Sequence, residues 1–224
     1  MALILNIETS TEVCTLTLAD NGTPIFESKC FETKSHASQL PLFVDEAMAF
    51  IQEKGYQLDA VAVSAGPGSY TGLRIGVSTA KGLCYALHCP LISVDTLQTI
   101  ALGARASEGC VRAMIDARRM EVYTALYTKD GVRLTEPEAV IVDEHAFAEE
   151  LQESAVTFCG NGAMKCAAVI QHANARFVDG VHPMASTMAM VAEEKYQQGA
   201  FEDVAYFEPF YLKEYMAVKP KKMF

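Results

Sequence analysis

Two stretches of this chain, about a hundred residues apart, share one layout. Residues 4–22 read ILNIETSTEVCTLTLADNG and residues 113–131 read AMIDARRMEVYTALYTKDG. With a one-residue gap, each is an apolar strand ending in a carboxylate (Glu8, Asp116), a short turn, then Glu-Val-x-Thr opening a second strand. That second strand runs into Asp20-Asn21-Gly22 in one copy and Asp130-Gly131 in the other. Asparagine and glycine accept the positive φ of tight hairpin turns, so both are strong hairpin signals. Any two buried hairpins look broadly alike, but the shared acid and the shared Glu-Val-x-Thr argue for a duplicated unit. The expectation is two related domains, residues 1–106 and 107–224, the second less complete.

The rest of the first half fits an α/β domain. Strands near 2–7, 12–19 and 24–32 precede a helix near 37–54. Its apolar positions Leu40, Phe43, Val44, Ala47, Met48 and Ile51 follow the helical period, with Pro41 placed in a tolerant first turn. AVAVSA at 60–65 is a strand feeding a glycine-rich turn and a helix through about residue 87. LISV at 91–94 leads to Asp95-Thr96-Leu97-Gln98, which has capping-box spacing for a further helix. The order βββαβαβα predicts a mixed sheet with helices on its faces. The second half repeats the hairpin and then shows helical patterns near 143–152, 161–171 and 185–198.

Composition narrows the function. The chain has 224 residues, half of them hydrophobic, enough for a sizeable core. Its formal net charge of -10 argues against holding nucleic acid by its own surface. No apolar run approaches a membrane span, and MALILNIETS lacks a basic leader, so a cytoplasmic protein is expected. Seven cysteines without a Cys-x-x-Cys pair read as reduced; Cys14, Cys84 and Cys159 sit in apolar segments. His36, His88, His145, His172 and His182 are scattered, with no spacing that puts two on one helical face, so no metal site is expected.

Residues 64–82, SAGPGSYTGLRIGVSTAKG, look built to hold a phosphate. The run is not a P-loop, because Thr71 follows Gly66 where the second glycine would stand, and lysine precedes Gly82. Gly66, Gly68 and Gly72 also miss the dinucleotide fingerprint by one residue. What remains is a strand-to-helix turn, with Gly66, Gly68, Ser69, Thr71 and Gly72 as candidate phosphate or nucleotide contacts. Beyond it, Gly72, Gly76, Ala80 and Cys84 form a row of small side chains on one helical face. Interior glycines cost about 1 kcal/mol each relative to alanine, so another surface must come close. That surface is either the domain's own sheet or a second subunit. For a subunit interface the candidates are Leu42, Ala49, Phe50, Gly72, Arg74, Gly76 and Ala80.

LNIETSTEVCTLTL, SAGPGSYTGLRIGVSTAKGL, MIDARRMEVYTALY and the late EPFYLK together resemble the TsaB (YeaZ) family of tRNA threonylcarbamoyladenosine biosynthesis, over essentially the whole chain. GPGSYTGLRIG is the specific part; the hairpin repeat belongs to the wider actin-like, Hsp70-like and sugar-kinase superfamily. The resemblance implies two ribonuclease-H-like (actin-like ATPase) domains. It also implies two partners, a catalytic TsaD-type paralogue and a TsaE-type ATPase, with tRNA reached through the complex and a homodimer when the chain is isolated. The TsaD-type partner transfers threonylcarbamoyl from its adenylate to the adenosine beside the anticodon.

The departures from that catalytic relative imply a chain without catalytic residues. Where TsaD-like proteins carry His-x-x-x-His, Thr96-Leu97-Gln98-Thr99-Ile100 stands here, and isoleucine offers no metal ligand. Gly160-Asn161-Gly162 has a spacing too common to mark an adenosine loop. Glu8 and Asp116 could pair across a cleft around Mg²⁺, but Arg118 and Arg119 beside Asp116 favour local arginine and backbone partners. The expectation is a pseudo-enzyme partner that needs no cofactor, with ATP or ADP at a subunit boundary left open. An independent actin-like ATPase, a peptidase and a structural homodimer are the alternatives; a peptidase lacks a histidine in any nucleophile motif. Lys213, Lys219, Lys221 and Lys222 near the end face a single acid, Glu214. They read as a solvated terminus, or as contacts to tRNA phosphate in the assembled complex.

Overall fold

A computed structural model describes residues 2–33 and 35–213. The first half builds β1 (Leu3–Glu8), β2 (Cys14–Asp20), β3 (Thr23–Cys30), α1 (His36–Lys54), β4 (Ala60–Gly66), α2 (Tyr70–Leu87) and β5 (Leu91–Asp95). Then come α3 (Thr96–Gly103), β6 (Cys110–Asp116), β7 (Glu121–Thr128), β8 (Glu138–Ile141), α4 (Ala148–Glu153), β9 (Val156–Cys159), β10 (Ala175–Val178) and α5 (Ala185–Gln197). The strands form two five-stranded sheets, ordered β3-β2-β1-β4-β5 and β10-β9-β6-β7-β8. In the first, β1–β2 and β2–β3 are antiparallel while β1–β4 and β4–β5 are parallel. Strands β6, β7, β8, β9 and β10 repeat that pattern in the second sheet. The sequence repeat is therefore a repeat of sheet topology.

The turn chemistry works as expected in the first copy. Asn21 and Gly22 take φ of 50° and 74°, the paired left-handed residues of a type I′ turn joining β2 to β3. In the second copy Gly131 takes φ 81° in a local turn closed by the Gly131 N–H on Thr128 O at 3.0 Å. Residues 132–137 then intervene before β8, so the link is looser.

Alternation along β1 divides the first core. Leu3, Leu5 and Ile7 pack with α1 and α2, including Leu40, Phe43, Ala47, Val77, Ala80 and Cys84. Ile4 packs on the opposite face with Met188, Val191 and Ala192 of α5. Helix α5 thus covers the first sheet, although its place in the chain is with the second half. In turn α3 brings Leu97, Ile100 and Ala101 against Val111, Ala113, Ile115 and Tyr127 of the second sheet. Each half closes with a helix that packs on the other half's sheet.

Downstream of α5 the chain returns along the first domain. Glu202 bridges to Leu91 at the β5 edge, and Lys81 Nζ of α2 donates to Ala205 O and Phe207 O at 3.0 and 3.1 Å. The Phe210 N–H then donates to Ala65 O at the end of β4, at 2.7 Å.

Three sequence expectations need correction. Residues 161–171 form only a single 3₁₀ turn, Met164–Cys166, because successive i→i+3 bonds such as Cys166 N–H to Ala163 O tighten the segment. Ala163, Cys166 and Ile170 are buried at helix-like spacing, which is why the pattern looked helical. Helix α4 is shorter than expected from residues 143–152, since Phe147 at φ 63° precedes its first residue. Pro41 is the sixth residue of α1, not in its first turn, so the donor it lacks would have bonded Ala37 O.

The second sheet's outer face holds a charge. Arg112 is buried, and its Nε donates to Glu150 Oε2 of α4 at 2.9 Å while Nη2 pairs with Oε1. Its guanidinium lies 4.2 Å from the Phe147 ring centroid, and Nη1 reaches Thr124 Oγ1 at 3.4 Å. This bidentate pair pins a six-residue helix too short to be stable by itself. Glu150→Ala, which removes the bidentate partner and leaves the buried guanidinium only Thr124 and the Glu138 carboxylate at 3.9 Å, is expected to lower unfolding free energy by about 2 kcal/mol in denaturant titration.

Candidate functional site

A cleft of about 900 Å³ lies between the two domains. Its walls are the β1–β2 turn (Ser10, Thr11, Glu12), the start of α2 (Gly68 to Gly72), the β6–β7 turn (Asp116, Ala117, Arg118), Asn161, and the late segment Tyr211 to Lys213. Both repeated turns and the glycine run therefore meet in one place.

The glycine run is closed on its own fold. The Ser69 N–H donates to Ser10 O at 2.6 Å, the Gly72 N–H donates to Ser69 Oγ at 3.3 Å, and Thr9 Oγ1 donates to Gly72 O at 2.8 Å. A Cβ at Gly68 would overlap the Ser10 carbonyl, one at Gly72 the Thr9 carbonyl, and one at Gly76 the Thr9 hydroxyl. At Gly66, with φ 102°, it would stand 2.5 Å from Phe210 O. The second domain repeats the device: a Cβ at Gly160 would overlap Met114 O, and at Gly162 it would lie 2.8 Å from the Ile115 carbonyl carbon. In both domains glycines let the turn after the fourth strand slide beneath the end of the first. The Ser69 and Gly72 donors that a phosphate would use are thus committed internally. Ser69 and Thr71 remain exposed at the rim.

The repeated acids have different surroundings. Glu8 is buried; its Oε1 accepts the Ser10 N–H at 2.6 Å, and its Oε2 meets no hydrogen-bond partner among the described residues. Burial raises its carboxyl from the ordinary 4.5 to about 7, opposed in part by the hydrogen bonds at Ser10. Asp116 is exposed on the cleft wall, where it accepts Lys165 Nζ at 2.5 Å and the Arg118 N–H at 2.8 Å. The partner cation is Lys165, not either arginine: Arg118 and Arg119 both take left-handed backbone, φ 72° and 51°, and are exposed. A divalent ion held between Glu8 and Asp116 does not fit these residues, one acid being sealed behind its turn and the other paired. At the His-x-x-x-His spacing, Thr96 and Ile100 are buried in α3. Among the described residues no three His, Cys, Asp or Glu side chains gather closely enough to hold a metal ion.

Polar bridges tie the two halves of the chain together, at the cleft and beside it. Asn161 Nδ2 donates to Glu12 Oε2 at 2.6 Å while its Oδ1 accepts the Asp116 N–H at 3.0 Å. Lys213 Nζ donates to Glu121 Oε1 at 2.5 Å, and Tyr127 Oη donates to Asp95 Oδ2 at 2.8 Å. Asp95 also caps α3 through the Leu97 and Gln98 N–H groups, whereas the Gln98 side chain bonds Gly131 O rather than completing a capping box. Sequence reasoning passed over Asn161 because Gly-x-Gly is common, and it had no signal for Lys165. Lys219, Lys221, Lys222 and Glu214 lie outside the described residues.

The candidate interface residues separate into two groups. Gly72, Gly76 and Ala80 are buried against the chain's own β1–β2 turn and sheet, so the small-residue row faces inward, not toward a second subunit. Phe50 is half-buried, 5.4 Å from the Phe26 ring and 6.4 Å from that of Tyr56. Leu42, Ala49 and Arg74 point to solvent, Leu42 at 54% exposure. The Arg74 guanidinium lies over the Tyr70 ring, 4.9 Å from its centroid, and Tyr70 packs tilted at 38° against Tyr211, 4.7 Å between centroids, which holds the arginine in place.

Paired mixed sheets of this topology, meeting at a cleft between repeated turns, define the two-domain actin-like, ribonuclease-H-like class. A family model described as TsaD, tRNA N6-adenosine threonylcarbamoyltransferase, matches residues 31–220. The structure resembles YeaZ from Pseudomonas aeruginosa with a TM-score of 0.80 at 26% identity, over 95% of this chain and all of that one. The sequence is 33% identical to the tRNA threonylcarbamoyladenosine biosynthesis protein TsaB of Escherichia coli, over 96% of each. It is 34% identical to TsaB of Bacillus subtilis, over 67% of this chain and 64% of that protein. This chain belongs to the TsaB (YeaZ) family. No helix among its described residues is long and apolar enough to cross a membrane.

Two outcomes follow from the closed turn. Gly76→Leu is expected to destabilise the isolated chain by about 2 kcal/mol or more in denaturant unfolding, since the side chain has only Thr9 and Val63 to displace. For Glu8 the folded-state value lies above the unfolded one, so the folded chain holds the proton more tightly. Its contribution to stability is full below pH 4.5, falls as pH rises to about 7, and is flat above. The stability of wild type relative to Glu8→Gln should therefore drop by roughly 3 kcal/mol across that window. A difference that is flat with pH would contradict the burial of the charge.

Proposed function

We propose that this chain serves tRNA threonylcarbamoyladenosine formation as a non-catalytic dimerisation subunit of a TsaD-type threonylcarbamoyltransferase. The observation that carries this reading is the internal closure of the glycine loop: the Ser69 N–H and the bare faces of Gly68, Gly72 and Gly76 meet the β1–β2 turn, and the Gly72 N–H is capped by the Ser69 hydroxyl. Glu8 and Asp116 support it, one buried behind that turn and the other paired with Lys165. The chain then needs no cofactor of its own. ATP or ADP at the subunit boundary would depend on surfaces the partner supplies, and tRNA would be reached through the complex, alongside a TsaE-type ATPase in the cytoplasm.

The partner is met by the outward faces of α1 and α2, which lie side by side on the first sheet. Leu42, Ala49 and Arg74 stand there, beside a shallow groove of about 610 Å³ lined by Asp45, Met48, Ala49, Ile51, Gln52 and Tyr56. Exposed Leu42, Tyr56 and Tyr85 give that face apolar anchors, and the fixed Arg74 gives it a charge. The same face would make the homodimer when no paralogue is present. Mixing the full chain with the TsaD-type paralogue of the same genome should give a complex that co-elutes. Leu42→Asp with Arg74→Glu should weaken it at least tenfold, about 1.4 kcal/mol. A folded double variant that binds with unchanged affinity would place the interface elsewhere.

A further inference from the structure

The β6–β7 turn carries positive charge that no neighbouring acid offsets. Arg118 and Arg119 both take left-handed backbone, φ 72° and 51°, which is costly for a residue with a side chain and free for glycine. The surrounding contacts impose it. The Glu121 N–H donates to Arg118 O and the Ala117 N–H to Glu121 O, both at 3.1 Å, so the turn closes on itself. Lys165 Nζ sits inside, donating to Asp116 Oδ1, Arg119 O and Glu121 O at 2.5, 2.9 and 2.6 Å. Met120 packs against the second core, and its carbonyl accepts the Val142 N–H at 2.8 Å. With a carboxylate and two carbonyls drawn inward around one ammonium, the two guanidiniums are left outside.

Both arginines are exposed, and among the described residues neither guanidinium has a hydrogen-bond or ion-pair partner. The nearby acids are engaged elsewhere: Asp116 with Lys165, Glu121 with Lys213 and Glu12 with Asn161. The mouth of the cleft therefore holds unpaired positive charge on a chain whose net charge is -10. Arg118 lines that cleft together with the partly buried Tyr123 and Tyr211 and the exposed Ser69 and Thr71.

Given the place in a tRNA-modifying complex proposed above, we infer that Arg118 and Arg119 form an RNA-backbone contact that grips tRNA phosphates at the mouth of the cleft. A guanidinium offers a planar fork that matches two phosphate oxygens, and forks on adjacent residues of a clamped turn lose little freedom on binding. Hydroxyls that bond phosphate and rings that stack on bases stand in the same cleft, a mixture suited to RNA, whereas an acidic peptide would use the charges alone. The chain's overall charge opposes RNA at long range, so the contact operates where partner subunits add basic surface. Lys165 is its positioning residue.

The test reconstitutes variants of the full chain with the TsaD-type paralogue and measures tRNA affinity across a salt series. Arg118→Gly with Arg119→Gly keeps the left-handed turn and removes both charges. It should unfold at about the wild-type temperature, co-elute with the paralogue as before, bind tRNA about tenfold more weakly and lower the salt slope by about 2. Arg118→Lys with Arg119→Lys should keep the slope yet lose affinity, since the charges remain and the forks do not. Lys165→Met, which leaves both arginines and frees the turn, should also weaken tRNA binding without disturbing co-elution. Unchanged tRNA affinity and slope in a glycine variant that assembles normally would overturn the assignment and leave the dimerisation role standing. Loss of co-elution would move the arginines into the subunit interface, and loss of ATP binding with tRNA affinity unchanged would give them to a nucleotide; either result overturns the RNA contact. A wild-type pair that fails to co-elute would overturn the proposed role itself, and this contact with it.

Discussion

The structure turns on the backbone of Thr9 and Ser10 lying against three glycines of the loop and helix that follow β4. Gly68, Gly72 and Gly76 each leave the room that a carbonyl or hydroxyl of residues 9 and 10 occupies, and Ser69 and Thr9 lock the contact with hydrogen bonds. Interior glycine costs a helix about 1 kcal/mol per position, a cost offset here by the close approach it permits. Because β1 is the central strand of its sheet, this contact sets where α2 enters the fold. It also sets where the β1–β2 turn meets the cleft and seals Glu8 behind that turn. The second domain uses Gly160 and Gly162 in the same way against the end of β6.

That packing fills, from within the chain, the space left bare beside the glycines of this turn. The glycines that suggest a phosphate cradle answer a steric demand between two strands' ends. The acids at the strand ends are inherited by the repeat but diverge in environment: burial favours the neutral form of Glu8, while Lys165 neutralises Asp116. On the outer side of α1 and α2, Leu42 and Arg74 stay exposed, with Arg74 over the Tyr70 ring that packs against Tyr211. The segment bearing Tyr211 reaches the cleft only because Phe210 is fastened to the end of β4.

Much of the fold was legible because period and turn chemistry are local. The Asn21–Gly22 turn, the alternation of Leu3, Leu5 and Ile7, and the matching of β1–β2 with β6–β7 follow from residues near one another in sequence. Long-range choices were not. The side of α2 occupied by Gly72 and Gly76 is a small-residue row whether it meets a sheet or another subunit, and only the position of Thr9 decides between them. The exchange of α3 and α5 between sheets leaves no periodic trace, since an amphipathic helix does not encode which sheet covers it. Lys165 and Asn161 sit in a segment whose buried Ala163, Cys166 and Ile170 imitate a helix, and their partners lie more than forty residues away.

The central claim is that the cleft of this chain carries no step of the transfer reaction. It is tested most directly by reconstituting the full chain with the TsaD-type paralogue and the TsaE-type ATPase and measuring threonylcarbamoyl transfer to tRNA. The variant that matters carries Glu8→Gln together with Asp116→Asn. With the repeated acids serving the fold alone, the variant should support transfer within a few-fold of wild type. A loss of several orders of magnitude, with folding and assembly intact, would show that the cleft is a working catalytic site.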